Sequence, residues 1–183
     1  MAFPELLKNM DFIVFDLETT GLNHTFSTII EIGCIEVSNG EIQREYTTLF
    51  GGGKSSMYLV RKVHRIKDSE RKNKPTFQSR AEKIYDYFNG KTLVGHNIDK
   101  YDVPMLQCKL QECGFTLKNF KTIDTLKISR EIGHESNTLE NLSKHYNVEN
   151  GEHHRGLDDA KMTLDVLCVF AEKYPEIVKK YII

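Results

Sequence analysis

A run of apolar residues that ends in two acids constrains this chain more than any other feature. The run DFIVF predicts a buried strand, and it continues directly into DLETTGL, which spans residues 16–22. Alternate residues of a strand point to the same side, so Asp16 and Glu18 share one face. Their positions lie roughly 6–7 Å apart along a strand, and like charges this close repel by about a few kcal/mol. A core strand that ends in this way predicts a cation between the two carboxylates.

The rest of the composition is typical of one soluble domain. Its 183 residues are 39% hydrophobic and 28% charged, which is ordinary for a globular protein with a sizeable core. No apolar run approaches the roughly 18–20 residues that span a bilayer, and the start of the chain lacks the features of a signal peptide. The four cysteines are scattered, without a C-x-x-C pair. We therefore expect a cytoplasmic, intracellular protein with no membrane partner, folded as a single domain over 1–183 with a motif-bearing core at about 11–172.

Hydrophobic periodicity predicts the α/β class. An alternating run with Asn39-Gly40 at its centre indicates a β-hairpin. Helical and extended patterns then alternate to the end of the chain, which predicts a mixed central β-sheet flanked by α-helices. The predicted elements are a helix closed by Gly90, a strand in KTLVGHN, a helix from near Pro104 to Gly114, a strand over 120–125 with a helix through Ile132, a capping box at 137–140, and a long helix halted before Pro175 with a short tail.

Two further acids stand at the ends of predicted elements. Asp102 comes just before the helix at Pro104, where an acid is also common as an N-cap or as a partner of the helix dipole. Asp159 follows His154 by five residues, and Gly156 between them lets the chain bend. We therefore expect His154 on a loop and Asp159 in the first turn of the long helix, pointing inward. An inward acid without a partner would be costly.

Four carboxylates placed in this way could converge on metal ions. Ligands that are all oxygen select Mg²⁺ or Mn²⁺, and two such ions about 3.5–4 Å apart can clamp the attacking and leaving oxygens of a phosphoryl displacement. A histidine is suited to take a proton from water at neutral pH. His154 is the candidate for this role, and His153 is a weaker one.

A locally basic segment runs from Val60 to Lys74 and holds seven Lys or Arg residues against two acids. One interpretation is a solvated loop and helix face. The other is a rim that attracts phosphates. The sequence leaves both open.

Three motifs together resemble those of the DEDDh 3′-to-5′ exonucleases, which include proofreading subunits and domains of DNA polymerases and the three-prime repair exonucleases. FDLETTGL matches the first motif, LVGHNIDKYDVPML the second and HHRGLDDA the third, H-x4-D. The resemblance covers Phe12 to about Val169 and implies a ribonuclease H-like fold with two Mg²⁺ or Mn²⁺ ions. It implies a general base at His154 and metal ligands at Asp16, Glu18, Asp102 and Asp159.

Some positions depart from the family pattern. His96 precedes Asp102 by six residues, as in the three-prime repair exonucleases, although the commoner spacing in the family is five. Asp99, near the usual spacing, is the alternative acid. An aromatic residue just before Asp102 favours that acid as the ligand. Arg65 stands where many relatives have Gly, and Gly156 where many have Ala.

The resemblance also implies contacts with the terminal nucleotide. Turn chemistry is the alternative role for Thr19, and core packing is the alternative for Tyr101. The implied contacts are Thr19, Leu22, His64, Asn97 and Tyr101.

The activity implied is stepwise release of nucleoside 5′-monophosphates from a single-stranded or frayed 3′ end of DNA. An exoribonuclease, a nuclease that cuts internally and an inactive nucleic-acid-binding module tethered to a polymerase are the alternatives. Single-stranded 3′ ends are the expected partners, and a DNA polymerase is a candidate one. Nothing in the sequence separates DNA from RNA as the substrate.

Overall fold

The computed structural model describes residues 3–53, 58–148 and 154–182. Five strands form one sheet: β1 Phe12–Thr19, β2 Ile29–Ser38, β3 Glu41–Leu49, β4 Thr92–Gly95 and β5 Lys121–Asp124. The helices are α1 Tyr58–His64, α2 Asp68–Arg71, α3 Ala81–Phe88, α4 Asp102–Gln111, α5 Thr125–Ile132, α6 Leu139–Tyr146, α7 Gly156–Lys173 and α8 Pro175–Ile182, with 3-10 turns at Glu5–Leu7 and Gln78–Arg80. Within these ranges, no helix is both long and apolar enough to cross a membrane.

The central sheet is mixed, as predicted. Its strand order is β3-β2-β1-β4-β5, with β1 antiparallel to β2 and parallel to β4. The predicted hairpin joins β2 to β3 through Asn39 and Gly40, whose φ angles are 51° and 69°. Positive φ at both positions is what a tight two-residue turn requires. The apolar run therefore occupies β1 at the centre of the sheet and carries its acidic end between β2 and β4.

Side chains of β1 alternate between two core layers. Phe12 and Val14 pack with α7 on one face of the sheet, and Ile13 and Phe15 pack with residues of α3 and α4 on the other. The strand period places Asp16 on the α7 face, one step beyond Val14. The acids of β1 therefore point toward the helix that carries Asp159.

Two glycines allow α7 to approach the sheet closely. A Cβ added at Gly33 would lie 2.0 Å from the carbonyl carbon of Gly156, and one added at Gly156 would lie 2.8 Å from the Gly33 nitrogen. Gly33 pairs with Asp16 across β2 and β1. The first turn of α7 therefore rests on backbone beside Asp16, and this contact brings Asp159 to the acidic end of β1.

Three boundary predictions were wrong. Helix α4 begins at Asp102 itself, and Thr138, rather than Asn137, caps α6 by accepting a hydrogen bond from the Asn141 nitrogen at 3.3 Å. The C-terminal tail forms α8, because Pro175 is tolerated in the first turn of a helix and Val178 is buried.

Candidate active site

Three of the predicted acids come together at the end of β1. Asp16 and Glu18 lie on β1, and Asp159 lies in the first turn of α7. One carboxylate oxygen from each lies within 4.8 Å of the others. The structure therefore brings Asp16 and Asp159, which are far apart in the sequence, into one cluster.

Burial and mutual repulsion make this cluster unfavourable when it is fully charged. Burial, and then the neighbouring carboxylates, raise the pKa of Asp16 well above its usual range. Burial and the charge of Asp159 raise the pKa of Glu18 to about 9. A divalent cation would offset both costs, and carboxylate oxygens are the donors that Mg²⁺ and Mn²⁺ prefer. The donor set of this cluster therefore fits such a metal.

Asp102 lies on the wall of an adjoining cavity. Its Oδ1 accepts a hydrogen bond from the Leu17 nitrogen at 3.0 Å, and it lines a cavity of about 140 Å³ together with Asp16. Burial raises the pKa of Asp102 to about 7, although backbone hydrogen bonds act in the opposite direction. The alternative acid, Asp99, forms a salt bridge with Lys127. Of the two candidates in the second motif, Asp102 is the one that faces the same cavity as Asp16.

His154 lies next to the acidic cluster through its backbone. Its nitrogen donates a hydrogen bond to Asp159 Oδ2 at 2.9 Å, and its φ of 69° turns the chain sharply before α7 begins. The side chain is exposed. His153, the weaker candidate, lies outside the described residues.

An ion pair between buried Glu31 and partly exposed Arg155, which the sequence analysis missed, fastens the residues just before α7 to the sheet. Glu31, only 1% exposed, is the register partner of Glu18. It accepts hydrogen bonds from Arg155 Nη2 at 2.9 Å, from Arg155 Nε at 3.3 Å and from the Gly156 nitrogen at 2.9 Å. The signal was an acid inside the apolar run TIIEIGCI, because a charge in a core strand needs a buried partner.

The candidate nucleotide contacts fall into two groups. Thr19, Leu22 and Tyr101 line the 140 Å³ cavity beside Asp16 and Asp102. Leu22 is 72% exposed. Thr19 Oγ1 also donates a hydrogen bond to the Gly21 carbonyl at 2.8 Å, which is the turn role weighed against substrate contact.

The other two candidates do not line this cavity. His64 is fully buried, with its Nδ1 accepting a hydrogen bond from the Ile66 nitrogen at 2.9 Å. Asn97 adopts a φ of 61°, and its nitrogen donates to Asp124 Oδ1 at 2.8 Å. His24, which the sequence analysis did not single out, does line the cavity.

Known proteins are similar to this chain in sequence, and others are similar in fold. The family model described as "Exonuclease" (RNase_T) matches residues 13–167. A PolC-type DNA polymerase III of Caldanaerobacter subterraneus is 31% identical over 169 residues, covering 91% of this chain and 12% of that protein. The 3′-5′ exonuclease DinG of Bacillus subtilis is 27% identical over 170 residues, covering 91% of this chain and 18% of that protein. The chain thus spans only a small part of the length of these relatives.

Among solved structures, E. coli Exonuclease I in complex with a dT13 oligonucleotide has a TM-score of 0.85 at 14% identity. The match covers 94% of this chain and 43% of that one. It confirms the ribonuclease H-like exonuclease fold. Because the family model spans most of the sequence and includes all three motifs, this chain belongs to the exonuclease family.

Proposed function

We propose that this chain is a metal-dependent 3′-to-5′ exonuclease that releases nucleoside 5′-monophosphates from single-stranded or frayed ends of DNA. The observation that carries the proposal is the partly buried cluster of Asp16, Glu18 and Asp159, with the His154 backbone nitrogen hydrogen-bonded to Asp159. Family membership supports the reaction class, because the matched region contains every residue of the cluster.

The metal ligands in this proposal are the three clustered acids together with Asp102, and the cations are two Mg²⁺ or Mn²⁺ ions. Bound divalent cations supply Lewis-acid stabilisation of the negative charge that develops during phosphoryl transfer. Before any cation binds, the raised pKa values at Asp16 and Glu18 mark where negative charge is least favourable. Because bound cations would neutralise that charge, activity should depend on a divalent metal.

His154 is the proposed general base. Its imidazole is exposed, so a water molecule has access to it, and its backbone bond to Asp159 holds it at the edge of the acidic cluster. A histidine side chain is suited to accept a proton from that water at neutral pH. The salt bridge between Glu31 and Arg155 keeps the preceding residue in place.

The cavity beside Asp16 is the proposed site of the terminal nucleotide. Leu22 and Tyr101 offer apolar and aromatic surface to a base, and Thr19 is a further contact. His64 and Asn97 are retained as candidate contacts from the resemblance alone, since neither lines the cavity. The cavity encloses about 140 Å³, less than the roughly 300–1,000 Å³ of most ligand sites, so only part of the terminal nucleotide would enter it.

DNA as the substrate and a DNA polymerase as a partner are supported by the names of the relatives. Two of them are a PolC-type DNA polymerase III and a 3′-5′ exonuclease, and the solved Exonuclease I structure is a complex with dT13. An inactive binding module would have no need of the whole acidic cluster together with His154.

Degradation of 5′-labelled oligonucleotides tests the proposal. Single- and double-stranded DNA and RNA are incubated side by side with Mg²⁺, with Mn²⁺ or with EDTA. We expect a ladder that shortens from the 3′ end of single-stranded DNA, release of 5′-monophosphates, and no reaction in EDTA. Internal cuts on a strand whose 3′ end is blocked by phosphate, or turnover that persists in EDTA, would refute it.

A further inference from the structure

A second concave surface lies on the face of the sheet opposite α7, between the edge strand β3 and α3. It encloses about 400 Å³, which is within the size range of ligand sites in proteins. We call it the β3–α3 groove, and it is lined by Ile32, Cys34, Arg44, Tyr46, Thr48, Phe50, Pro75, Arg80, Lys83, Ile84, Tyr87 and Phe88.

Three cationic side chains converge on the β3–α3 groove. Arg44 projects from β3, Arg80 from the turn before α3 and Lys83 from α3. In the described parts of the chain none of them forms a salt bridge; the nearest acid by register is Glu36, opposite Arg44. Among the described residues that line the groove, none is acidic. The three cations are therefore available to an external anion.

The groove also offers aromatic surface. Tyr46 is 46% exposed, and Tyr87 is partly exposed beside it. Phe50 and Phe88 close the floor and are fully buried. Three cations beside the exposed ring of Tyr46 match a strand of phosphates and bases, because single strands are held by a positive groove and by stacking on aromatic side chains.

The position of the groove brings it close to the cavity beside Asp16. Ile32, on the groove wall, is the register partner of Leu17, and Leu17 lines that cavity. The basic segment from Val60 to Lys74 ends at Pro75, another wall residue. Arg71 fastens this segment to the wall, because its guanidinium donates to the Phe50 carbonyl at 2.9 Å and to the Gly52 carbonyl at 2.8 Å. The basic segment therefore meets the groove at Phe50 and Pro75.

We propose that the β3–α3 groove binds single-stranded nucleic acid on the 5′ side of the nucleotide being removed. This inference rests on the proposed function for the direction of the strand. An acidic peptide would satisfy the three cations equally, but the exposed face of Tyr46 beside them favours a strand with bases. The groove would retain the substrate while its 3′ end is shortened.

The test compares affinities for short and long strands without cleavage. The Kd values of dT4 and dT20 are measured by fluorescence anisotropy in EDTA, for wild-type protein and for a variant that combines Arg44→Gln, Arg80→Gln and Lys83→Gln. We expect wild-type protein to bind dT20 much more tightly than dT4, and the variant to lose about tenfold or more of that advantage. The slope of log Kd against log salt for dT20 should fall by about 2, from three phosphate contacts at about 0.7 each.

A matched control also changes three cationic residues, at the opposite edge of the sheet. Lys91→Gln, Lys118→Gln and Lys121→Gln remove three exposed cations near the starts of β4 and β5, and this variant should retain the wild-type ratio of the two Kd values. Tyr46→Ala, a smaller change, should weaken dT20 binding by about tenfold through lost stacking. Melting curves confirm that each variant is folded.

The proposal would be overturned if the groove variant kept the wild-type ratio of the Kd values for dT4 and dT20, whether its affinities are unchanged or fall equally for both strands. In either case, loss of binding to a Glu- and Phe-containing peptide in the same variant would assign the groove to a protein partner. Because binding is measured in EDTA, failure of the nuclease assay in Mg²⁺ would refute the proposed function without deciding the role of the groove.

Discussion

The acidic cluster and the cavity beside it are adjacent, but they are built differently. Asp16 projects from β1 and Asp159 from α7. Helix α7 approaches the sheet closely where Gly156 contacts the backbone of Gly33 on β2. Leu22 lies on a loop, is 72% exposed, and is flanked by turn hydrogen bonds such as that from the Thr28 nitrogen to Thr20 Oγ1 at 2.9 Å. Charges that must converge are therefore held by the sheet and α7, whereas the proposed nucleotide contact is held by a loop that can vary.

The largest effect should follow from loss of one clustered acid. Asp16→Asn should lower the turnover of single-stranded DNA by about a thousandfold, because a metal ligand is removed. Without metal the same variant should be more stable to heat than wild-type protein, since burial and repulsion raise the pKa of Asp16. Turnover assays and melting curves in EDTA measure the two effects.

Asp99→Asn is the matched control, because Asp99 lies in the same sequence motif as Asp102 but pairs with Lys127. It should retain wild-type turnover. Equal losses in the Asp16 and Asp99 variants would show that the two acids are not distinguished as the structure indicates.

Removal of the proposed base should have the next largest effect. His154→Ala should lower turnover by about a hundredfold, at the lower end of the usual range for a general base, while calorimetry shows Mn²⁺ binding unchanged. His145→Ala, at an exposed position on α6, should keep wild-type turnover. Unaltered turnover in the His154 variant would refute its role.

The sequence predicted those parts of the site that depend on local spacing. Alternation in β1 placed Asp16 and Glu18 on one face, and the bend at Gly156 separated His154 from Asp159, as the structure shows. The fold class followed from the hairpin and from the later alternation of helices and strands.

Features that depend on contacts between distant segments could not be predicted in this way. The hydrogen bond that Arg155 donates to Glu31 joins residues 124 positions apart, and no periodic pattern links them. Likewise, the carboxylate of Asp102, at the start of α4, accepts a hydrogen bond from the Leu17 nitrogen on β1, a contact between residues 85 positions apart. The β3–α3 groove requires the edge of the sheet and α3 to meet, which no single motif records.

Metal should stabilise the protein increasingly as pH rises. Burial and Asp159 raise the pKa of Glu18 from its usual value of 4.5 to about 9 in the folded state. Between about pH 5 and 9 the folded protein therefore binds more protons than the unfolded chain, so the free energy of unfolding falls as pH rises through that range. We expect the melting temperature in EDTA to fall across that range, and the fall to be smaller in Mn²⁺.

At Mn²⁺ concentrations near 100 times its Kd, binding should raise the free energy of unfolding by about 2.7 kcal/mol. For a chain of this size, that raises the melting temperature by roughly 5–10 °C. In Asp16→Asn the difference between Mn²⁺ and EDTA should shrink. A pH profile identical with and without Mn²⁺ would contradict the assignment of the cluster as a metal site.

Loosening of the His154 loop should have a smaller effect. Arg155→Ala leaves Glu31 buried with one of its two partners gone, and should lower the free energy of unfolding by about 2 kcal/mol, below the usual range for a buried pair because Arg155 is 37% exposed. If the pair positions His154, kcat should fall by about tenfold with KM little changed. Urea unfolding and steady-state kinetics measure the two quantities.

Arg155→Lys keeps the charge and should recover part of the lost kcat. Reduced stability with wild-type kcat in Arg155→Ala would mean that the pair supports the fold alone and does not position the base.

The smallest effect is expected at the loop, where the comparison with the acidic cluster is sharpest. Leu22→Ala should raise KM for single-stranded DNA about 3- to 10-fold, as expected for about 1 kcal/mol of lost apolar contact. The melting temperature should not change, because Leu22 is 72% exposed. Phe26→Ala is the matched control: it is 71% exposed on the same loop but does not line the cavity beside Asp16. A rise in KM for Leu22→Ala alone would locate the terminal nucleotide in that cavity, and equal KM values for both variants and wild-type protein would exclude it from there.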